Sequence, residues 1–69
     1  MYLTYLDIFN FLSESLDCQL MAEGPAVYIY TDKSPLNVDI IAGTLEGLLY
    51  SQDYNKNVEI LKDNLIRLS

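Results

Sequence analysis

Ten carboxylates, six tyrosines and one thiol are the side chains of this 69-residue chain that could do chemistry, and no histidine accompanies them. The missing imidazole removes the commonest general base and the serine–histidine nucleophile pair. It also removes the Cys/His zinc patterns, so a metal would need an all-oxygen or one-thiolate site. One stretch begins like a calcium loop. Asp53, Asn55 and Asn57 fit D-x-N-x-N, but the sixth position is Val58 where the loop needs Gly, and the twelfth is Leu65 where it needs Glu. Cys18 has no basic neighbour in sequence and reads as a small buried apolar residue rather than a nucleophile. Neither a P-loop nor a dinucleotide-binding glycine pattern is present. The expectation is a protein that is not an enzyme and uses no cofactor or metal. Paired carboxylates are the one catalytic device its composition leaves open.

What remains is the chemistry of contact. Asp32, Asp39, Glu46 and Asp53 recur every seven residues, which in a helix sets Asp39 and Glu46 on one flank. Such a flank is either ordinary solvated surface or a row of negative charge offered to a basic surface. Tyrosine adds large rigid area with a polar tip, the combination favoured at interfaces, and Tyr28, Tyr30 and Tyr50 are the candidates for exposed contacts. The expected partner-binding set is therefore Tyr28, Tyr30, Asp32, Asp39, Glu46, Tyr50 and Asp53. The formal charge is −6, and residues 1–55 hold eight acids against one base, Lys33. That front repels nucleic acid and anionic membranes and favours a partner protein with a basic surface.

The element that must carry these groups is the stretch Ser34–Ser51. Ser34 can cap a helix and Pro35 suits its first position. Val38, Ile41, Ala42, Leu45, Leu48 and Leu49 fall on one face and predict a core contact. Leu36, Ile40, Gly43, Gly47 and Tyr50 make a second apolar side. Two interior glycines cost roughly 1 kcal/mol each relative to Ala. Their spacing makes a shallow groove that another backbone can approach, either an element of the same domain or another molecule. Leu36, Ile40, Gly43 and Gly47 are the expected self-association set. A membrane pair is excluded, because the helix is too short and carries acids.

The neighbours follow from pattern. Residues 3–16 predict a helix, with Thr4 and Asp7 as a capping box and Leu6, Phe9, Leu12 and Leu16 at helical spacing. Residues 18–31 predict a β-hairpin turning at Glu23-Gly24-Pro25, with Val27, Ile29 and Thr31 on one face of its second strand and Tyr28 and Tyr30 on the other. Alternatively the first helix runs on through Met21 and leaves a single extended segment. Asp53 then caps a third helix over residues 54–68, whose stripe is Tyr54, Val58, Leu61, Leu65 and Leu68, with Asp63 and Arg67 paired four apart. The expected fold is one α+β domain over residues 1–69, three helices with one small hairpin in the order α-β-β-α-α; an all-α chain with one extended segment is the alternative.

At this length a single core is marginal, and a lone cysteine rules out an internal disulfide, so oligomerisation is the expected supplement. No basic residue precedes Lys33, and acids interrupt the N-terminal apolar run at Asp7, Glu14 and Asp17. These point away from a secretion signal and toward a reducing cytoplasm.

In general character the chain resembles the small acidic proteins with which phages and mobile elements block host enzymes, anti-CRISPR inhibitors among them. The resemblance is one of type, and it transfers no residues. It implies a non-enzymatic, protein-binding inhibitor of a host nucleic-acid-handling protein, acting in the cytoplasm of the host cell. The second expectation is a structural or assembly subunit that homodimerises through the second apolar side of the Ser34–Ser51 helix.

Overall fold

A computed structural model describes residues 2–69. Thr4 opens the first helix, α1 (Tyr5–Asn10). Its hydroxyl accepts from the Asp7 amide at 3.2 Å, and the Asp7 carboxylate accepts from the Thr4 amide at 2.9 Å, closing the predicted capping box. The helix then widens into a π-helical turn over Phe11–Ser15, where Asp17 enters the left-handed region at φ 56° and ends it. Ile8 and Leu12 are fully buried, whereas Leu6, expected in the stripe, is 67% exposed.

The expected hairpin forms as β1 (Gln19–Glu23) and β2 (Ala26–Tyr30). Glu23 pairs with Ala26 across the two-residue turn Gly24-Pro25. Gly24 sits at φ 60°, the positive value that a hairpin turn of this length needs at its first residue.

The second helix, α2 (Val38–Ser51), begins three residues later than a Ser34 cap suggests. Ser34 spends its hydroxyl on the Leu36 amide in a local turn, and Asn37 caps the helix instead, accepting from the Ile40 amide at 3.0 Å. Asp53 closes it. At φ 64° it lets the Asp53 amide donate to the Tyr50 carbonyl and the Tyr54 amide to the Leu49 carbonyl, the paired bonds of a Schellman motif.

The third helix does not exist. Residues 54–68 instead hold β3 (Val58–Lys62) and β4 (Leu65–Leu68), so the fold has two helical segments and a four-stranded antiparallel sheet in the order β1-β2-β4-β3. The α+β class stands; the order α-β-β-α-α does not, and neither does the all-α alternative. Val58, Ile60, Ile66 and Leu68 satisfy a period of two as well as the stripe satisfied a period of 3.6, and Asp63-Asn64 supply turn residues between them. Tertiary context decides. A lone two-stranded hairpin is marginal, and pairing β4 against β2 converts it into a sheet with a continuous apolar face. Arg67 accordingly meets Glu59 across the strands rather than Asp63 along a helix.

Alternation sorts the sheet into two faces. Leu20, Ile29, Ile66 and Ile60 form one row toward the helices, and Ala22, Val27, Leu68 and Val58 form the next. Ile8, Leu12, Ile41, Ala42, Leu45 and Leu49 come down onto these rows to make the core, with Cys18 at its margin. The helices divide the sheet between them: α2 packs over β3 and β4, and the π-helical turn lies against β1.

Candidate protein-binding surfaces

All ten carboxylates are exposed to solvent. Among the described residues no three of His, Cys, Asp and Glu gather closely enough to hold a metal. Cys18 is buried, and burial followed by the neighbouring Asp17 charge pushes its thiol above its ordinary value, which suppresses the nucleophilic thiolate. Among the described helices none is long and apolar enough to cross a membrane.

The outward side of α2 is the first surface. Buried Ile41, Ala42, Leu45 and Leu49 fix the helix's rotation and leave Ile40, Gly43, Gly47 and Tyr50 facing away from the sheet. Tyr50 is 86% exposed. A Cβ at Gly43 or Gly47 would meet nothing within 4 Å, so no other described residue packs on the glycine pair. The intramolecular explanation of that groove is thereby removed. Leu36 lies outside the helix and is half-buried, which separates it from the other three residues of the self-association set. Asp39 and Glu46 are exposed on the helix, and Asp53 sits just past its end, lining one surface hollow with Tyr50, Tyr54 and Asn55. Asp32 is exposed in the turn that leaves β2, before α2 begins.

The open face of the sheet is the second surface. Tyr28 and Tyr30 are central in it and half-buried by their neighbours. Met21, Tyr28, Arg67 and Glu59 make one row, and Gln19, Tyr30, Leu65 and Lys62 the other. Six of the seven residues expected to bind one partner therefore divide between opposite sides of the molecule, and the seventh, Asp32, stays in the turn after β2. Tyr28 and Tyr30 lie on the sheet, while Asp39, Glu46, Tyr50 and Asp53 lie on the helical side.

A third feature, an aromatic cluster at the N-terminal corner, was not legible in the sequence. Tyr54 stacks on Tyr5 at 4.2 Å between ring centroids, and Tyr5 stacks on Phe9 at 5.8 Å. The Lys56 ammonium stands 5.8 Å over the Tyr5 ring. The Tyr54 hydroxyl donates to the Leu3 carbonyl at 3.0 Å and meets the Tyr2 hydroxyl at 3.0 Å, while the Leu3 amide donates to Gln52 Oε1 at 2.8 Å. These bonds tie the start of the chain to the end of α2. The hydrogen bond with Tyr2, then burial, then the nearby Tyr2, Tyr5 and Asp7 charges push the Tyr54 hydroxyl up to about 12. Only the heavy aromatic content of residues 2–11 hinted at such a cluster, because its partner Tyr54 is some fifty positions away. Met21 is 54% exposed on β1, an edge strand of the sheet, a placement that only the strand order reveals. Comparison with family models, curated proteins and solved structures finds no match to this chain.

Proposed function

We propose that the protein is a non-enzymatic binding module of the kind with which phages and mobile elements inhibit a host nucleic-acid-handling protein. In this reading the outer side of α2 is its contact surface. The observation that carries the proposal is the combination there of Asp39, Glu46 and Asp53 with exposed Tyr50 and an uncovered Gly43–Gly47 groove. The carboxylates compete for cationic side chains that otherwise hold phosphate, and the net charge of −6 steers the encounter. Tyr50 supplies apolar area that excludes water from the contact, and the glycines let the partner's chain approach the helix closely.

Capture from a host lysate with the wild-type chain and with the Asp39→Lys/Glu46→Lys double variant tests this reading. Both carboxylates are exposed, so the variant folds. The expected result is a partner that the wild type retains at low salt, that rising salt releases, and that the double variant does not hold. Equal retention by both chains would sink the proposal.

The same side supports a second reading, an assembly subunit that homodimerises through Ile40, Gly43 and Gly47. Exposed Ile40 beside the uncovered glycines favours it. Under that reading Ile40→Lys dissociates the protein and salt does not.

A further inference from the structure

The two edges of the sheet are protected unequally. β3 is guarded by three devices that discourage edge-to-edge pairing. A register shift between Ile60 and Lys62 leaves Leu61 bulged, Lys62 puts a charge at the strand end, and Glu59 is drawn inward to Arg67. β1 has neither the bulge nor the inward-drawn charge and shares only the charge at the strand end. Its five residues, Gln-Leu-Met-Ala-Glu, pair one-to-one with β2 without a bulge, and the only charge is Glu23 at the end. Beyond the ladder to β2, the backbone groups of Gln19–Glu23 take part in no backbone hydrogen bond among the described residues. An open hollow of about 500 Å³ lies along this edge, lined by Gln19, Leu20, Met21 and Tyr30, so it draws on both faces of the strand.

We propose that β1 is a self-association edge, and that its occupant is β1 of a second copy of this chain, paired antiparallel about Met21. The strand is self-complementary about that centre. Met21 meets Met21, Leu20 meets Ala22, and Glu23 of one chain meets Gln19 of the other, where a carboxylate can accept from the amide. Neighbouring registers are worse. Centring on Leu20 sets Glu23 against Asp17, two like charges. Centring on Ala22 sets Pro25, which has no N–H, against Gln19. The Met21 register also keeps Leu20 and Ala22 on the helical face in both copies. The two four-stranded sheets then join into one of eight strands, with its helices all on one side.

The pairing leaves the outer side of α2 free, because α2 packs over the opposite half of the sheet. The proposal therefore stands or falls independently of the function argued above. Sedimentation from micromolar to submillimolar protein tests it, with Met21→Lys, Met21→Leu and Ile40→Lys beside the wild type. Two lysines at the symmetry axis face each other, and Met21 is exposed enough to be replaced without touching the core. The expected result is a concentration-dependent dimer whose dissociation constant rises about tenfold or more in Met21→Lys and is unchanged in Met21→Leu and Ile40→Lys. In the wild type, amide hydrogens of Gln19–Glu23 gain protection from exchange as concentration rises, a measurement that needs no variant. A monomer at every concentration overturns the proposal. So does a dimer that Met21→Lys leaves intact, and one that Ile40→Lys dissociates belongs to the α2 reading instead.

Discussion

Truncating Ile66 and truncating Leu61 separate the observed sheet from the helix that the same residues resemble. Ile66 is 0% exposed and sits between Ile29 and Ile60 on the core face. Ile66→Ala removes three carbons, worth about 0.8 kcal/mol each in transfer, and the cavity left behind adds about 1 kcal/mol. The expected loss is about 3–4 kcal/mol, a large share of the roughly 3.5–10 kcal/mol that a domain of this size commands. At about 4–8 °C per kcal/mol the melting temperature falls by about 12–32 °C. Leu61 bulges out of the ladder and is 38% exposed, so Leu61→Ala costs under about 1 kcal/mol. Urea titration followed by circular dichroism gives both values, provided the slope of the transition stays constant between variants. In a helix over residues 54–68, Leu61 would be central in the apolar stripe and Ile66 outside it. A larger loss from Leu61→Ala than from Ile66→Ala would therefore refute the sheet assignment.

Thr4→Ala removes half of the capping box and is expected to cost about 1 kcal/mol in the same titration. Tyr54 carries a folded-state value raised to about 12, above the ordinary 10, so its contribution is fully present below pH 10 and is lost as pH climbs through 12. A pH series of thermal melts should show that alkaline loss in the wild type and a shallower one in Tyr54→Phe. Asp53→Gly relieves a left-handed residue of its side chain and should raise stability by roughly 0.5–1 kcal/mol, while weakening any partner that the Asp53 carboxylate contacts. Gly43→Ala with Gly47→Ala meets no steric obstacle, and calorimetry should find the variant more stable by about 1–2 kcal/mol. A destabilised variant would mean that something packs on the glycines in solution.

Local chemistry was the legible part. The Thr4–Asp7 box, the Gly24-Pro25 turn, the alternation of Val27, Ile29 and Thr31, and the buried face of α2 are each settled by neighbours within a few positions. The π-helical widening after Asn10 was not legible, because no single residue signals it, and the face of α1 that turns inward carries Ile8 rather than Leu6. Residues 54–68 failed for a different reason. Their apolar positions satisfy two periods at once, and the choice rests on β2, more than thirty residues away, offering a free edge to β4. Asp53 then changed meaning with its surroundings: expected at the start of a helix, it closes the preceding one. Of the tyrosines expected as exposed contacts, Tyr50 is fully on the surface, while Tyr28 and Tyr30 are half-buried in the sheet. Alternation already set Tyr28 and Tyr30 opposite Val27 and Ile29, but that α2 packs on the other face of the sheet, with Asp39, Glu46 and Tyr50 on its outer side, is a tertiary fact that no local pattern carries.

That division bears on how the two proposals combine. Pairing two β1 strands antiparallel creates a two-fold axis perpendicular to the sheet, so both copies of α2 stay on the same side of it. Each α2 lies over β3 and β4, at the outer end of the eight-stranded sheet. A dimer formed this way offers two acidic faces in one direction at a fixed separation, with Asp39 and Glu46 repeated at both ends. Such an arrangement gains avidity only against a partner presenting two basic sites at matching spacing, or against two copies of it. Met21→Lys would then weaken capture of the partner as well as dissociate the dimer, although Met21 touches no partner itself. Charge reversal at Asp39 and Glu46 would abolish capture and leave the dimer whole. Loss of capture by both routes, with loss of the dimer by one alone, is the pattern that joins the edge strand to the helix face.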